Sequence, residues 1–386
     1  MTQVRRGQSA AHVQRLVVMI PSLDTGGAEL QLTELFERAP IASLQRFRIT
    51  ILTFSSQISP VLVERLSALR IDVVTIDRSS TSAVTFTARL IAYLRRERPD
   101  IVHTVLGGST GTWGRIAARL AAVPQVMHSE RSLAPTLTRL QGALEPVVNR
   151  LTDRFIVNAN AIQKRLVRRG APEARIRVLP NGVALDRFDP TSVPRSRSAW
   201  DIPEDAIVAG FLGMLRPEKR PELFLDAVLS IPREARPDYV VIAGDGALRE
   251  ALRAKVEADP WLNARCLMLG VVSDTPTFLA SIDFLVLSSD TEGLPNAVLE
   301  AMAMARPIVA TAVSDVPQLI EGCGVSVEPG NVEALAGAIA EMTACTSEER
   351  ATLGAIGRQS VERCYDISQM AARFLDLHLD MLGSQP

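Results

Sequence analysis

The chain has 386 residues, 47% of them apolar and 4% aromatic, and its 42 Lys and Arg against 43 Asp and Glu leave a net charge of −1. That length supports two to three domains of ordinary size, with cores of aliphatic side chains that suit buried parallel strands and the helices covering them. No run approaches the ~20 consecutive apolar residues with which a helix crosses a bilayer, so any membrane contact is expected to be peripheral.

The polar start, residues 1–14, carries Arg5 and Arg6, and the apolar stretch that follows at 16–21 is too short for the core of a signal peptide. Short β-branched runs then recur at 16–20, 47–54, 73–76, 101–104, 125–128, 154–157 and 176–179, with amphipathic helical segments between most of them. The segment 186–202, DRFDPTSVPRSRSAWDI, is rich in Pro, Ser and charge and reads as a linker. Beyond it the same rhythm returns at 207–212, 239–243, 266–269, 284–287, 307–310 and 324–327. The pattern predicts an α/β protein of two Rossmann-like domains, 1–187 and 188–365, with a tail, 366–386, that crosses back to the first. In that tail Met370, Phe374, Leu377 and Met381 stand at helical spacing. Neither half carries G-x-G-x-x-G after its first strand, which disfavours an NAD-type dehydrogenase.

Arginine is concentrated between Arg115 and Arg187, including Arg119, Arg131, Arg139, Arg150, Arg154, Arg165, Arg168, Arg169, Arg175 and Arg177, with few acids. Such an excess suits phosphates, an anionic membrane surface or plain solvation. The four cysteines, Cys266, Cys323, Cys345 and Cys364, lack C-x-x-C spacing and a nearby His pair, so zinc is not expected and a reduced, cytoplasmic protein is.

After the run 284–287 the chain reads S-S-D-T-E-G-L-P-N-A-V-L-E-A-M-A over 288–303. A strand end, a loop containing Gly293 and a helix opened by Pro295 make a phosphate-binding arrangement, because the amides of a helix start are free and its dipole end is positive. Glu292 in the loop and Glu300 on the helix then flank one anion, the second able to accept hydrogen bonds from vicinal hydroxyls. Both acids also suit ordinary solvated positions, as do the loop cations Arg216 and Lys219. In the first half, Gly26, Gly27, Ala28 and Glu29 follow the strand 16–20 and precede a helix, which equally fits a plain strand-to-helix turn. His103 and His128 end strands at carboxyl edges, where open α/β sheets bind ligands. Each fits a sugar-binding or proton-transferring role, or a satisfied structural one.

The E-x7-E stretch from Glu292 to Glu300 closely resembles the donor-site signature of retaining glycosyltransferase family 4, the group 1 glycosyl transferases of GT-B fold. Further segments match in order: I-P-S-L-D-T-G-G-A-E from Ile20, P-D-I-V-H from Pro99, V-L-P-N-G-V from Val178, G-M-L-R-P-E-K-R-P from Gly213, I-A-G-D-G from Ile242 and A-R-P-I-V-A-T from Ala305. The resemblance implies that two Rossmann-like domains face each other across a cleft, with Glu292 near the donor sugar and Glu300 on the nucleotide ribose. It implies a donor pocket of Gly213, Gly244, Gly293, Leu294 and Asn296, with Lys219 neutralising the diphosphate and Gly26 and Gly27 close to both diphosphate and acceptor. Relatives often carry Arg where this chain has Met214, and Arg216, two residues on, is expected to replace it. Relatives also place a functional His after the strand 125–128. His128, Glu130 and Arg131 compete for that place, and His103 is a further acceptor-side candidate.

The chain is therefore expected to be a metal-independent, retaining glycosyltransferase. It would move a sugar from a UDP- or GDP-sugar to a glycan or lipid-linked acceptor in polysaccharide or glycolipid assembly. No D-x-D metal motif occurs in the sequence, and no cofactor or nucleic acid is expected. The expected location is cytoplasmic, at the inner face of an anionic membrane. A UDP-sugar epimerase on the same fold and a non-catalytic sugar-nucleotide-binding subunit are the alternatives.

Overall fold

The protein was analysed as a computed structural model, which describes residues 13–24, 26–79, 81–133 and 137–383. The polar start on which the leader-peptide reading rests lies, over residues 1–12, outside the described residues.

Thirteen strands form two parallel sheets. The first contains β1 (Gln14–Ile20), β2 (Phe47–Thr53), β3 (Asp72–Thr75), β4 (Ile101–Val105), β5 (Gln125–Glu130), β6 (Arg154–Val157) and β7 (Ile176–Val178), in the order β3-β2-β1-β4-β5-β6-β7. The second contains β8 (Val208–Leu212), β9 (Tyr239–Ala243), β10 (Cys266–Gly270), β11 (Phe284–Leu287), β12 (Ile308–Thr311) and β13 (Gly324–Val327), in the order β10-β9-β8-β11-β12-β13. Each expected strand is present, displaced at its ends by a residue or two.

Alternate residues of β1 explain its apolar run. Leu16, Val18 and Ile20 enter the core on one face of the sheet, while Val17 and Met19 enter the core on the other, so both faces are covered. In each sheet the strand order reverses once, between β1 and β4 and between β8 and β11. Chains leaving the carboxyl ends of such a pair diverge to opposite faces and open a crevice for ligands.

The segment expected as a linker packs onto the second domain. Phe188 joins that domain's core, and Arg197 is 1% exposed. Arg197 pairs with Asp283 at 2.7 Å and donates to the carbonyls of Ser281, Glu204 and Ala206, which makes a buried guanidinium tolerable. The chain crosses between domains twice, side by side. Val183 N–H donates to Tyr365 O at 2.8 Å and Ile367 N–H to Val183 O at 3.0 Å. The helix Ile367–Gly383 then lays Met370, Phe374, Leu375 and Met381 into the first domain's core.

Candidate functional site

Three loops at the two switch points build the site. The loop after β8 carries Lys219 and the loop after β11 carries Glu292, and their side chains meet: Nζ donates to Oε1 at 2.6 Å and to Oε2 at 2.7 Å. Ser289 Oγ donates to the same Oε1 at 2.6 Å, so the carboxylate is fixed from two directions. Ser288 Oγ donates to the carbonyls of Lys219 and Arg220, and Arg220 pairs with Asp290 at 2.9 Å. The two loops are thereby clamped along their length. Beneath them lies the loop after β9. Gly244 has φ +145°, and a Cβ there would stand 1.8 Å from Gly213 O, so this approach requires glycine.

Arg216 and Met214 both stand outward, with Leu215 between them fully buried. The common direction comes from a tight turn, Arg216 N–H donating to Met214 O at 2.9 Å, rather than from the extended alternation the sequence suggests. Among the described residues the Arg216 guanidinium has no ion-pair partner, and it is exposed beside the Lys219 loop.

The helix expected to open at Pro295 spans Asn296–Ala303, with Pro295 as its extended N-cap. The first amides of this helix have no intrahelical acceptor. Asn296 Nδ2 donates to Gly27 O at 3.2 Å, and a Cβ on Gly27 would come within 3.3 Å of that nitrogen. The first-domain glycine loop therefore lies directly against the helix start. Gly26 makes room for Glu29, whose Oε2 would be 2.4 Å from a Cβ at that position. Gly293 approaches the first domain closely as well, since its Cβ would stand 2.2 Å from Arg131 O.

Glu300, half-buried on the same helix, faces Glu34 and Arg187 of the opposite wall. Burial pushes its carboxyl up to about 8; the Glu34 carboxylate adds to the rise and Arg187 opposes it. Without a ligand this group holds its proton at neutral pH. Leu294, buried at 7% exposure, anchors the loop after β11 in the second domain's core.

His103, His128 and Glu130, the histidine and acid candidates of the first domain, are 0%, 1% and 2% exposed. His103 accepts from Ser129 Oγ at 2.7 Å and lies 3.0 Å from His378 Nε2, whose own Nδ1 donates to Phe374 O. Burial keeps both rings neutral, and as neutral rings they have both nitrogens engaged, His103 Nδ1 donating to His378 Nε2. His128 Nδ1 meets Thr104, and its Nε2 points at Glu130, 3.9 Å away. Burial, then the charge of Arg115, pushes His128 down to about 4, with Glu130 opposing. Glu130 in turn caps the amides of Arg131 and Ser132.

Of the three residues competing for that place, Arg131 is the one that reaches the cleft. Its guanidinium donates to Asn181 Oδ1, and it lies within electrostatic reach of Glu29. Asn181 is the hub that the sequence pattern does not single out. Its Nδ2 donates to Leu294 O at 2.9 Å and to Asn296 Oδ1 at 2.6 Å, and its Oδ1 also accepts from Asn158 at 3.2 Å. Its place inside V-L-P-N-G-V was the available signal.

Residues 206–344 match the family model described as Glycosyl transferases group 1, and residues 25–187 match that described as Glycosyltransferase Family 4. The chain is 30% identical over 306 residues to the UDP-Gal:alpha-D-GlcNAc-diphosphoundecaprenol alpha-1,3-galactosyltransferase of Escherichia coli, covering 76% of this chain and 78% of that one. It is 29% identical over 296 residues to the lipopolysaccharide core biosynthesis glycosyltransferase LpsE of Rhizobium meliloti, again covering 76% and 78%. The solved structure of Anabaena HepE in complex with UDP-glucose shares the fold with a TM-score of 0.77 at 18% identity, over 95% of this chain and 99% of that one.

Proposed function

The chain belongs to the glycosyltransferases of group 1 and family 4, and on that premise we propose that it transfers a sugar from a UDP- or GDP-sugar to a glycan or lipid-linked acceptor. The transfer retains anomeric configuration and needs no metal ion. The observation that carries this reading is the Lys219–Glu292 pair at the β8/β11 switch point, beside the free amides of the Asn296 helix. The E. coli relative, whose name gives a UDP-galactose donor and a diphosphoundecaprenol-linked acceptor, supports the choice of substrates. A lipid anchor on the acceptor would bring the chain to the inner face of a membrane.

Breaking the anomeric C–O bond leaves an extra negative charge on the departing diphosphate, and stabilising it is the main catalytic task. Lys219, Arg216 and the helix amides supply fixed positive charge where a metal would otherwise serve. Glu292, held by Ser289, orients the sugar through its hydroxyls, and Glu300 accepts from the ribose. The acceptor hydroxyl attacks the anomeric carbon on the face the phosphate leaves from. Its proton passes to the departing phosphate oxygen as the C–O bond breaks, so no covalent enzyme intermediate is needed. Arg131 and the Gly26–Gly27 loop line the acceptor side.

A thermal-shift screen of UDP-, GDP- and ADP-sugars tests the reading, because a donor well above its Kd raises the melting point. Stabilisation by a UDP- or GDP-sugar, followed by acceptor-dependent release of the nucleotide in the presence of a chelator, is the expected result. Isomerisation of the donor with no acceptor present would instead identify an epimerase. Binding without turnover on any acceptor would identify a non-catalytic subunit.

A further inference from the structure

The helix Arg139–Arg150 is inverted in its amphipathicity. Beside Val148 it buries Gln141 at 2%, Glu145 at 6% and Asn149 at 0% exposure, and it turns Leu140 at 58% and Val147 at 54% to solvent. Leu144 and Leu151, 42% exposed in the second case, continue the same stripe at spacings of four and three residues. The inversion is not an error of register, because every buried polar group is used. Gln141 forms a capping box with Thr138, Glu145 pairs with Arg165 and Arg169 at 2.9 Å each, and Asn149 accepts from Arg115 at 2.9 Å. A soluble helix ordinarily faces the other way, and a contiguous exposed apolar strip marks an interaction surface.

Basic charge predominates around the strip. Arg139 and Arg150 stand on the same outward face, and the helix's single acid, Glu145, points inward. At the far end Arg119 donates to Leu151 O at 2.7 Å and Arg175 to Arg150 O at 3.1 Å, bringing both guanidiniums to the strip's edge. Leu120, 56% exposed, adjoins them, its carbonyl taken by Arg95. Asp153, the acid beside this group, is neutralised by Arg119 at 2.5 Å. Of the arginine-rich stretch, Arg165 and Arg169 are engaged with Glu145, and Arg119 with Asp153, which leaves Arg139 and Arg150 as the strip's own cations.

We infer that this outward face is a docking surface for an anionic phospholipid bilayer, the leucines and Val147 entering the headgroup boundary while the arginines meet lipid phosphates. Gln141 Nε2 donates to Ser109 Oγ at 3.3 Å, in the loop that follows the carboxyl end of β4, so Leu140 lies at the end of the strip nearest the sheet's carboxyl edge. A lipid-linked acceptor would then enter the cleft from the surface on which the protein rests. The inference deepens the reading of a lipid-linked acceptor and rests on it for its purpose.

Flotation of the full chain with vesicles tests it, using phosphatidylcholine alone and phosphatidylcholine mixed with phosphatidylglycerol, at low and high salt. Binding to the anionic vesicles, weakened by salt, is expected. Arg139→Gln with Arg150→Gln should weaken it by about fivefold per charge. Val147→Asp with Leu140→Asp should abolish it, and both variants should keep the wild-type melting point and its shift by UDP. The inference is overturned if the wild type stays with neither vesicle, or if the Asp variant floats as the wild type does. It is also overturned if that variant only converts a dimer to a monomer, which would make the strip a contact between copies. Loss of the UDP shift in the wild type would count against the donor site and leave the vesicle result to stand alone.

Discussion

Lys219 Nζ lies between the two carboxylate oxygens of Glu292, at 2.6 and 2.7 Å, at the point where two loops of the second domain meet. In the free protein each charge satisfies the other, so a diphosphate must share Lys219 with the carboxylate. Glu292→Gln should therefore tighten binding of UDP several-fold while turnover falls, because repulsion is removed together with the group that orients the sugar. Lys219→Ala should weaken UDP binding and lower kcat by about a hundredfold or more. Calorimetry and initial rates on the two variants check both directions.

Glu300 sets a pH dependence. Its carboxyl sits at about 8 in the unliganded protein, and accepting two ribose hydroxyls requires the ionised form. Affinity for UDP should rise with pH toward about 8, by at most about tenfold per unit, and then level off. Glu300→Gln should bind more weakly and lose this slope. In the free protein the sign is reversed. The folded chain keeps a proton that the unfolded chain releases above its ordinary value near 4.5, so this group's stabilisation is present below that value and is lost as the pH rises through about 8.

Gly293→Ala tests the domain contact. The new methyl would stand 2.2 Å from Arg131 O, on the other domain, so the cleft cannot close as it does here. Turnover should fall by an order of magnitude or more with little change in melting point. Gly244→Ala should instead lower the melting point. Its Cβ would meet Gly213 O at 1.8 Å from a φ of +145°, and the expected loss of stability is about 1–3 kcal/mol or more.

The buried histidines make the first domain sensitive to acid. Burial pushes His378 down to about 4 and His103 well below its usual value, the neighbouring His378 adding to the effect in His103. The folded state resists a proton that the unfolded chain takes up below about 6.5. The stabilisation is therefore whole above that pH and is lost as pH falls toward 4, at up to about 1.4 kcal/mol per pH unit for each ring. His378→Asn should be less stable than wild type at pH 7, and the gap between them should narrow on acidification. A gap that widens instead would mean that these rings are not the titrating groups.

Much of the fold was legible because parallel strands covered on both faces must be nearly continuous apolar runs, as β1 with Leu16 to Ile20 shows. The loop and helix start over 288–303 were legible for a different reason: Gly293 and Pro295 each answer a local backbone requirement. What escaped depended on tertiary neighbours. Nothing in a single sequence tells that His103 ends beneath His378, 275 positions later, or that Asn181 reaches Leu294 and Asn296 across the domain junction. The inverted helix escaped because Gln141, Glu145 and Asn149 owe their burial to partners on other elements. Arg216 could be located by counting from Met214, but its outward direction depends on a turn.

Titration of UDP and GDP into the purified protein by calorimetry, wild type beside Lys219→Ala and Glu300→Gln, is the most direct test of the donor site. The account predicts saturable binding of one of the two nucleotides to the wild type, weakened at least tenfold by either substitution while the melting points of the free proteins stay within a few degrees. Equal affinity in all three proteins would contradict it, since the nucleotide would then be held somewhere other than between Lys219 and Glu300.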